Sequence, residues 1–216
     1  MAKKYDTVFF DLDGTIIDSG EGVSNSVLYA LNKFGINETK ENALKFIGPP
    51  LAQSFKEFYG FSDEKAADGI RIYREYYREK GIYECYVYEG ITDLLKSLKE
   101  NGCKVVLCTS KPEEYACKIL EHFDIIKYFD FPCGATMDEK SRASKDDVMQ
   151  YAFETSGANK ESTIMVGDRM FDIDSANKFG IDSIGVTFGY GSRVELENAK
   201  ATYVFDSASE IKELLI

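Results

Sequence analysis

The sequence has few of the residues on which several enzyme classes depend. Its single histidine, His122, lies at a predicted helix end, and nothing around it suggests a Ser-His-Asp or Cys-His catalytic group. No cysteine is followed by an arginine at the spacing of the Cys-based phosphatases, which excludes that class. The positions where that arginine would stand hold Ile91, Thr109, Glu114, Phe123 and Glu139.

The cysteines also lack the patterns of disulfide frameworks and of redox or zinc motifs. Their number is odd and no Cys-x-x-Cys occurs, which favours reduced and mostly buried thiols. The first residues lead directly into an apolar segment without the pattern of a secretory signal. We therefore expect a cytoplasmic protein. The five cysteines are Cys85, Cys103, Cys108, Cys117 and Cys133.

Basic residues are outnumbered, with 26 Lys and Arg against 37 Asp and Glu and a net charge of −11. This balance argues against nucleic acid and anionic membranes as partners. No apolar run approaches the length of a membrane span. An anionic small-molecule substrate stays possible, because a bound metal ion can invert the local field. We expect a monomer or a homodimer.

What the sequence does contain is a pair of carboxylates directly after a buried strand. Asp11-Leu12-Asp13-Gly14-Thr15 follows the apolar run Thr7-Val8-Phe9-Phe10. Residues two apart on extended backbone point the same way, so Asp11 and Asp13 are predicted to face one spot. Two like charges held close together need a cation or a shared proton, and an oxygen-binding divalent metal is the simplest partner.

Two other interpretations of Asp-x-Asp-Gly compete with a metal site. One is an ordinary polar turn, since Asp and Gly are frequent in turns. The other is an EF-hand loop, which needs Gly at its sixth position and Glu at its twelfth. The chain has Ile16 and Gly22 there, so the EF-hand is excluded.

From Gly90 onward helices and strands alternate, which predicts a parallel sheet with helices on both faces. The fold class is therefore α/β, with a Rossmann-like, doubly wound parallel sheet. Pro112 is placed in the first turn of one helix. The other predicted helices of this part are 91–99, 143–156, 170–179 and 207–215, and the predicted strands are 104–108, 162–166, 182–186 and 202–204.

No strand pattern appears between about Asp18 and Tyr86. An apolar helical stripe follows Ser19, and further helical segments are predicted at 40–46, 51–59 and 63–80. We expect an all-helical cap domain of residues 17–87, inserted into an α/β core of residues 1–16 and 88–216. Both crossings lie beside the Asp-bearing loop, which favours a substrate-selecting lid over a helical ornament that never moves.

Three further polar segments lie at strand ends or at a helix start. Thr109-Ser110-Lys111 follows one predicted strand, and Gly167-Asp168-Arg169-Met170-Phe171-Asp172 follows another. Each segment alone resembles an ordinary cap or turn. Lys145 begins a predicted helix, where the helix dipole disfavours a cation, and this misfit favours a functional role.

Together with the first aspartates, these segments supply the chemistry of phosphoryl transfer. A metal ion is predicted to bind Asp11, Asp168 and the backbone carbonyl of Asp13. Asp172 is predicted to hold a metal-bound water from outside the direct ligands. Such an ion would screen the approach of a carboxylate to a phosphate.

The same residues are predicted to perform the covalent steps. Asp11 is the candidate nucleophile that forms an aspartyl-phosphate, and Asp13 is the candidate general acid and then general base. Thr109 would donate to a phosphoryl oxygen, and Lys145 would neutralise negative charge. The predicted phosphate-binding residues are Asp11, Thr109, Ser110 and Lys145.

These segments resemble the four motifs of the haloacid dehalogenase superfamily in order and in spacing. Carboxylates at both 11 and 13 resemble the phosphatase and phosphomutase branch, since dehalogenases lack the second. The resemblance implies a helical cap, Mg²⁺ as cofactor and a phosphoaspartate intermediate. Thr109-Ser110-Lys111, Gly167-Asp168-Arg169 and Phe188-Gly189-Tyr190-Gly191 look most like the phosphoglycolate-phosphatase-like subgroup.

Several assignments stay open within this resemblance. Lys140 competes with Lys145 as the motif lysine, and Lys145 is preferred because it lies at the helix start. Lys111 and Arg169 are either site residues or solvated surface charges. The residues predicted to choose the substrate lie in the cap, in the loop after Ile47 and in the helix that follows it: Gly48, Pro49, Gln53 and Ser54.

The sequence thus predicts a Mg²⁺-dependent phosphatase of small phosphomonoesters, similar to phosphoglycolate phosphatases or 5'-nucleotidases. A sugar phosphomutase similar to β-phosphoglucomutase is the first alternative. Family mutases carry an Arg in the cap loop, whereas Phe46-Ile47-Gly48-Pro49-Pro50 has none. A phospho-accepting module that does not turn over, as in response-regulator receivers, is the second alternative.

Overall fold

The computed structural model describes residues 4–138 and 141–216 and divides the chain into two compact units. One unit combines Met1–Ile17 with Val87–Ile216, and the other is Asp18–Tyr86. We call them the α/β unit and the helical unit. Among the described residues, no helix has both the length and the apolar character that a bilayer crossing requires.

The elements follow one another in a regular order. In chain order they are β1 Thr7–Phe10, β2 Ile17–Asp18, α1 Gly20–Lys33, α2 Lys40–Ala43, α3 Leu51–Tyr59, α4 Asp63–Glu79, β3 Tyr86–Val87, α5 Ile91–Glu100, β4 Lys104–Pro112, α6 Glu113–His122, β5 Phe131–Ala135, α7 Lys145–Ser156, β6 Thr163–Gly167, α8 Met170–Phe179, β7 Asp182–Val186, α9 Arg193–Asn198, β8 Tyr203–Phe205 and α10 Ala208–Leu215. Short 3₁₀ turns occupy Leu44–Phe46, Gly81–Tyr83, Ile126–Tyr128 and Lys160–Ser162.

The α/β unit is organised by one parallel sheet of six strands in the order β5-β4-β1-β6-β7-β8. The chain builds outward from β1 through β4 and β5, then returns to the other side of β1 and builds outward through β6, β7 and β8. The first strand therefore lies where the strand order reverses, which is where open α/β sheets bind their ligands. The predicted α/β fold with a doubly wound parallel sheet is confirmed.

The strands read as apolar runs because helices cover both faces of the sheet. All four residues of β1 are buried, and so are all five residues of β6. On one face Phe9 lies 4.9 Å from the ring of Phe153 on α7, measured between ring centroids. The neighbours of Phe9 in this core include Val106, Met149 and Met165.

The structure differs from the sequence prediction at three places in the α/β unit. The edge strand β5 was not predicted, because Pro132 and Gly134 interrupt its apolar pattern. Proline is nevertheless tolerated at a sheet edge, where a strand has a neighbour on one side only. Pro112 ends β4 and caps α6 instead of lying in its first turn, and the helix α9 was also not predicted.

The helical unit packs around aromatic side chains of its own. Phe55 stacks on Phe61 at a centroid distance of 5.5 Å, and Phe46 meets Phe55 edge-on at 5.0 Å. On α4, Tyr73 and Tyr77 are buried and stacked on each other at 5.3 Å. The aromatic residues of α4 therefore include core residues of this unit. Short strands β2 and β3 lie where the chain passes between the units.

Replacing Phe9 tests the central role of β1. Phe9→Ala removes a fully buried ring beside Phe153 and should lower the free energy of unfolding by about 3–5 kcal/mol. The measurement is urea-induced unfolding followed by circular dichroism. The matched control is Phe171→Ala, since the Phe171 ring is 40% exposed and should cost about 1 kcal/mol or less. Equal losses in the two variants would contradict this placement of the core.

Candidate active site

The sheet brings the predicted site residues to one edge. Phe10, the last residue of β1, is in register with Leu107 of β4 on one side and with Val166 of β6 on the other. The next residue, Asp11, donates its backbone N–H to the carbonyl of Val166 at 2.9 Å. Because all three strands run parallel, the residues that follow them, including Asp168, meet at the same carboxyl edge.

Three carboxylates gather at this edge, those of Asp11, Asp168 and Asp172. Each offers an oxygen, and these oxygens all lie within 4.8 Å of one another. Their residues are 9%, 0% and 1% exposed, so water screens their repulsion very little. Such a cluster persists only if cations or protons neutralise it.

Lys145 supplies one of the cations. Its Nζ lies 2.8 Å from Oδ1 of Asp11 and 2.7 Å from Oδ1 of Asp172, and it donates to the carbonyl of Cys108 at 2.8 Å. The ammonium group thus donates hydrogen bonds to Asp11 and to the Cys108 carbonyl and forms an ion pair with Asp172. This environment explains why a lysine stands at a helix start, where the dipole alone disfavours it.

Local sequence fixes that lysine at the first residue of α7. Ser144 caps the helix by accepting from the N–H of Asp147, and the Asp147 side chain accepts from the N–H of Ser144. This reciprocal capping box fixes the backbone of the first helical turn, which includes Lys145. The competing Lys140 lies outside the described residues.

Burial and mutual repulsion set the ionisation of the cluster. Burial raises the pKa of Asp11 to about 6; Lys145 counteracts this rise, and Asp172 adds to it. Burial, followed by the charges of Asp172 and Asp11, raises the pKa of Asp168 well above its usual range. Burial by itself would lower the pKa of Lys145, but Asp11 and Asp172 raise it above its usual value. The lysine is therefore charged throughout the physiological range.

Asp168 is the carboxylate that Lys145 does not hold. Its Oδ2 accepts the backbone N–H of Tyr190 at 2.7 Å, whereas its buried Oδ1 has no hydrogen-bond partner among the described residues. A buried acceptor of this kind is costly unless something binds it. Oxygen donors from carboxylates are what Mg²⁺ and similar cations prefer, so Asp11 and Asp168 fit a divalent metal.

The charge balance of the described site points the same way. Four carboxylates, from Asp11, Asp13, Asp168 and Asp172, face two ammonium groups, from Lys145 and Lys111. When all four carboxylates are ionised, the excess of two negative charges equals the charge that one divalent cation would neutralise.

Glycines make room for this cluster. Gly14 has φ of 82°, and a Cβ built on it would lie 2.1 Å from Oδ2 of Asp168. A Cβ on Gly191 would lie 1.9 Å from the carbonyl oxygen of Asp168. The two loops therefore close tightly around Asp168, which any larger residue would prevent.

Lys111 contacts both Asp13 and Thr109, the first through its side chain and the second through its backbone. The Nζ of Lys111 lies 2.8 Å from both carboxylate oxygens of Asp13. The backbone N–H of Lys111 donates to Oγ1 of Thr109 at 3.2 Å, and Thr109 is 1% exposed. Ser110, between them, is partly buried. Of the two cations left open by the sequence, Lys111 belongs to the site.

Arg169, the other open cation, contacts a residue that sequence reasoning missed. Its Nε donates to Oε1 of Glu195 at 2.8 Å, and the same oxygen accepts the N–H of Met170 at 2.9 Å. Both oxygens of Asp172 are engaged as well, since its Oδ2 accepts the N–H of Arg169 at 3.1 Å and its Oδ1 faces Lys145. Glu195 thus ties α9 to the turn that carries Asp168.

The Ser-x-x-Glu pattern of residues 192–195 is the signal that could have drawn attention to Glu195. In a capping box that glutamate turns back to the N-cap amide. Here Ser192 does cap α9, accepting from the N–H of Glu195 at 3.1 Å, but the carboxylate reaches Arg169 and Met170 instead. Another missed group, the N–H of Tyr190, is backbone and carries no residue-type signal.

The predicted substrate-selecting residues belong to the helical unit. Gly48 is exposed with φ of 104°, and Pro49 follows it before α3. Gln53 is exposed on α3 and donates to Glu57 at 2.7 Å. Ser54 is buried, and its hydroxyl donates to the carbonyl of Pro50 at 3.3 Å. Their role in choosing the substrate stays a prediction.

Sequence comparison settles the family. Residues 8–186 match the family described as haloacid dehalogenase-like hydrolase, a span that includes Asp11, Asp13, Thr109, Lys145, Asp168 and Asp172. The chain belongs to the haloacid dehalogenase-like hydrolases. The family resemblance recognised from the four motifs is confirmed, and the chain is an enzyme of the hydrolase class.

Relatives within this family cover nearly the whole chain. A 5'-nucleotidase of Pseudomonas aeruginosa is 36% identical over 99% of this chain and 97% of its own length. A crystal structure of a predicted phosphatase from Clostridium acetobutylicum has a TM-score of 0.93 at 46% identity, over 97% of each chain. A protein of Mycobacterium tuberculosis named tyrosine-protein kinase PtkA is 37% identical over 96% of this chain and 70% of its own length.

The pH dependence of stability tests the ionisation of the cluster. In the unfolded chain the pKa of an aspartate is about 3.9, whereas folding raises the pKa of Asp11 to about 6 and that of Asp168 further. The folded, metal-free protein therefore binds more protons than the unfolded chain and loses stability as the pH rises. The contribution of Lys145 stays constant below its unfolded pKa of about 10.4.

We expect the Tm of EDTA-treated protein to be roughly 5 °C lower at pH 7.5 than at pH 5.5, measured by scanning calorimetry. Asp168→Asn should reduce this difference, because it removes one of the groups with a raised pKa. A metal-free Tm that rises over the same interval would contradict the assigned ionisation.

Glu195 offers a test of the turn that carries Asp168. Glu195→Ala releases Arg169 and the N–H of Met170, and it should weaken Mg²⁺ binding about tenfold, as measured by calorimetric titration of metal-free protein. The matched control is Glu197→Ala on the same helix, whose exposed carboxylate faces only Arg193 among the described ion pairs. Unchanged affinity in Glu195→Ala would show that α9 does not stabilise the metal site.

Proposed function

We propose that the chain is a Mg²⁺-dependent phosphatase that hydrolyses small phosphomonoesters through an aspartyl-phosphate on Asp11. The observation that carries this proposal is the buried carboxylate of Asp11, which forms an ion pair with Lys145. Near it lies a second carboxylate, Asp168, whose buried Oδ1 has no hydrogen-bond partner among the described residues. This arrangement suits a nucleophile that must meet a phosphate without electrostatic repulsion.

The metal is proposed to bind to Asp11 and Asp168, with the backbone carbonyl of Asp13 as a further ligand. Asp172, which contacts Lys145 and accepts the N–H of Arg169, is proposed to hold a metal-bound water from outside the direct ligands. When bound, Mg²⁺ supplies the positive charge that screens the phosphate from the carboxylates.

In the first step the carboxylate of Asp11 attacks phosphorus. A bond forms between its oxygen and phosphorus, the bond from phosphorus to the ester oxygen breaks, and Asp13 gives a proton to the departing alcohol. Lys145 holds Oδ1 of Asp11 throughout and offsets the charge that gathers on the phosphoryl group. Thr109 and Ser110, in the last part of β4, are proposed to donate to phosphoryl oxygens.

In the second step water attacks the aspartyl-phosphate. Asp13, now a carboxylate, takes the proton from water, the oxygen of water bonds to phosphorus, and the bond from phosphorus to Asp11 breaks. Phosphate leaves and the carboxylate of Asp11 is restored. Acid and base are the same residue, as the sequence predicts for Asp13.

The substrate class follows from the relatives and from the helical unit. Relatives are named 5'-nucleotidase and pyrophosphatase, and we propose 5'-nucleotides and other small phosphomonoesters as the first substrates to test. The helical unit is proposed to act as the lid that selects among them, through Gly48, Pro49, Gln53 and Ser54. An odd number of cysteines without a Cys-x-x-Cys pattern favours a reducing compartment, so we propose a cytoplasmic enzyme.

The direct experiment is release of p-nitrophenolate from p-nitrophenyl phosphate, with Mg²⁺ and with EDTA. We expect turnover only with the metal, and a loss of at least about 10³-fold in kcat for Asp11→Asn, because the amide is no nucleophile. Lys118→Met, which changes an exposed lysine paired with Glu114, is the control and should retain full activity.

A panel of acceptors then separates hydrolysis from transfer. Phosphate released to water supports the phosphatase, whereas isomerisation of hexose 1-phosphates would support the mutase and phosphorylation of tyrosine peptides by ATP would support a kinase. Full activity of Asp11→Asn, or no release of p-nitrophenolate by the wild type with Mg²⁺, would contradict the proposal.

A further inference from the structure

Each aspartate of the Asp-x-Asp pair forms an ion pair with a different lysine. Lys145 holds Asp11, as described above, while Lys111 contacts both oxygens of Asp13 at 2.8 Å. The side chains of Lys111 and Asp13 are only 7% and 17% exposed, so this ion pair is largely shielded from water. A pair with both carboxylate oxygens engaged fixes the position of the carboxylate as well as its charge.

The backbone is shaped to deliver Lys111 to this position. Thr109 on β4 is in register with Gly134 on β5. The following residue of β5, Ala135, is in register with Pro112, three residues further along β4. Ser110 and Lys111 therefore lie in an irregularity of β4 without register partners on β5. Such bulges re-aim side chains near active sites.

The neighbouring strand accommodates the irregularity by means of a glycine. A Cβ built on Gly134 would lie 2.8 Å from the carbonyl oxygen of Lys111 and 2.7 Å from the Cα of Glu113. The N–H of Lys111 is meanwhile held by Thr109 at 3.2 Å. The residue that is predicted to contact the phosphoryl group and the lysine that holds Asp13 are thus parts of one fixed turn.

We propose that Lys111 is a positioning residue that holds the carboxylate of Asp13 for removal of the proton from water in the second step. This inference rests on the proposed function. An ion pair of this kind is formed by the carboxylate form of Asp13, which is the form that accepts the proton while water bonds to phosphorus and the bond to Asp11 breaks. Lys111 acts through Asp13, not on the phosphoryl group.

Removing Lys111 should therefore slow the second step and leave the first intact. Phosphorylation of Asp11 by p-nitrophenyl phosphate needs little help from an acid, since p-nitrophenolate departs readily. Without Lys111, Asp13 loses its only partner among the described ion pairs, and its carboxylate is no longer fixed beside the attacking water. The aspartyl-phosphate then accumulates.

The experiment is rapid-mixing kinetics with p-nitrophenyl phosphate and saturating Mg²⁺, using the full chain. For Lys111→Met we expect kcat to fall about 10²-fold, within the range of general base effects, with a burst of p-nitrophenolate close to one equivalent per active site. Acid-quenched samples should contain phosphorylated Asp11 by mass spectrometry. Lys111→Arg should restore most of the turnover, and Lys118→Met should behave as the wild type does.

A double-mutant cycle tests whether Lys111 acts through Asp13. In the Asp13→Asn background, Lys111→Met should cause less than about a twofold further loss, because residues that act as a unit are not additive. If Lys111→Met does not fold, Lys111→Gln replaces it, since it keeps an N–H donor and removes only the charge.

Other outcomes overturn the inference. Loss of kcat without a burst, or a raised KM at unchanged kcat, would assign Lys111 to the phosphoryl group or to structure instead. Independent effects of Lys111→Met and Asp13→Asn would likewise contradict it. No release of p-nitrophenolate by the wild type would remove the proposed function and this inference together, which distinguishes that failure from a failure of the Lys111 role alone.

Discussion

The carboxylates of Asp11, Asp168 and Asp172 crowd into one buried volume at the carboxyl edge of the sheet, and their repulsion is the constraint that the rest of the site satisfies. Their oxygens lie within 4.8 Å of one another, and each of the three residues is at most 9% exposed. Lys145 offsets part of this charge through two of them. A metal ion is the most direct way to offset the rest, because Asp168 keeps a buried oxygen without a protein partner among the described residues.

The topology of the sheet by itself brings these carboxylates together. Parallel strands β1, β4 and β6 end side by side, so the residues after them meet whatever their separation in sequence. Short loops and helix starts then fix the side chains: the capping box of α7 carries Lys145, and the glycine-bearing turns close on Asp168. The chain passes from the α/β unit into the helical unit within a few residues of Asp13.

Much of the site was predictable because its residues follow recognisable local patterns. An apolar run before Asp-x-Asp-Gly marked the end of β1, and a lysine placed against the helix dipole marked Lys145. Other parts left no such pattern. The strand β5 contains Pro132 and Gly134, which only its edge position tolerates. The ion pair of Lys111 with Asp13 depends on an irregularity in β4 that no sequence pattern predicts.

The central claim is that Asp11 and Asp168 share a divalent cation, and a crystal soaked with Mn²⁺ tests it most directly. Anomalous scattering locates the ion without any assumption about the chemistry. We expect one strong peak about 2.2 Å from carboxylate oxygens of both residues, at the distances usual for hard divalent cations with oxygen ligands. The absence of a peak there, with Mn²⁺ bound elsewhere on the chain, would contradict it.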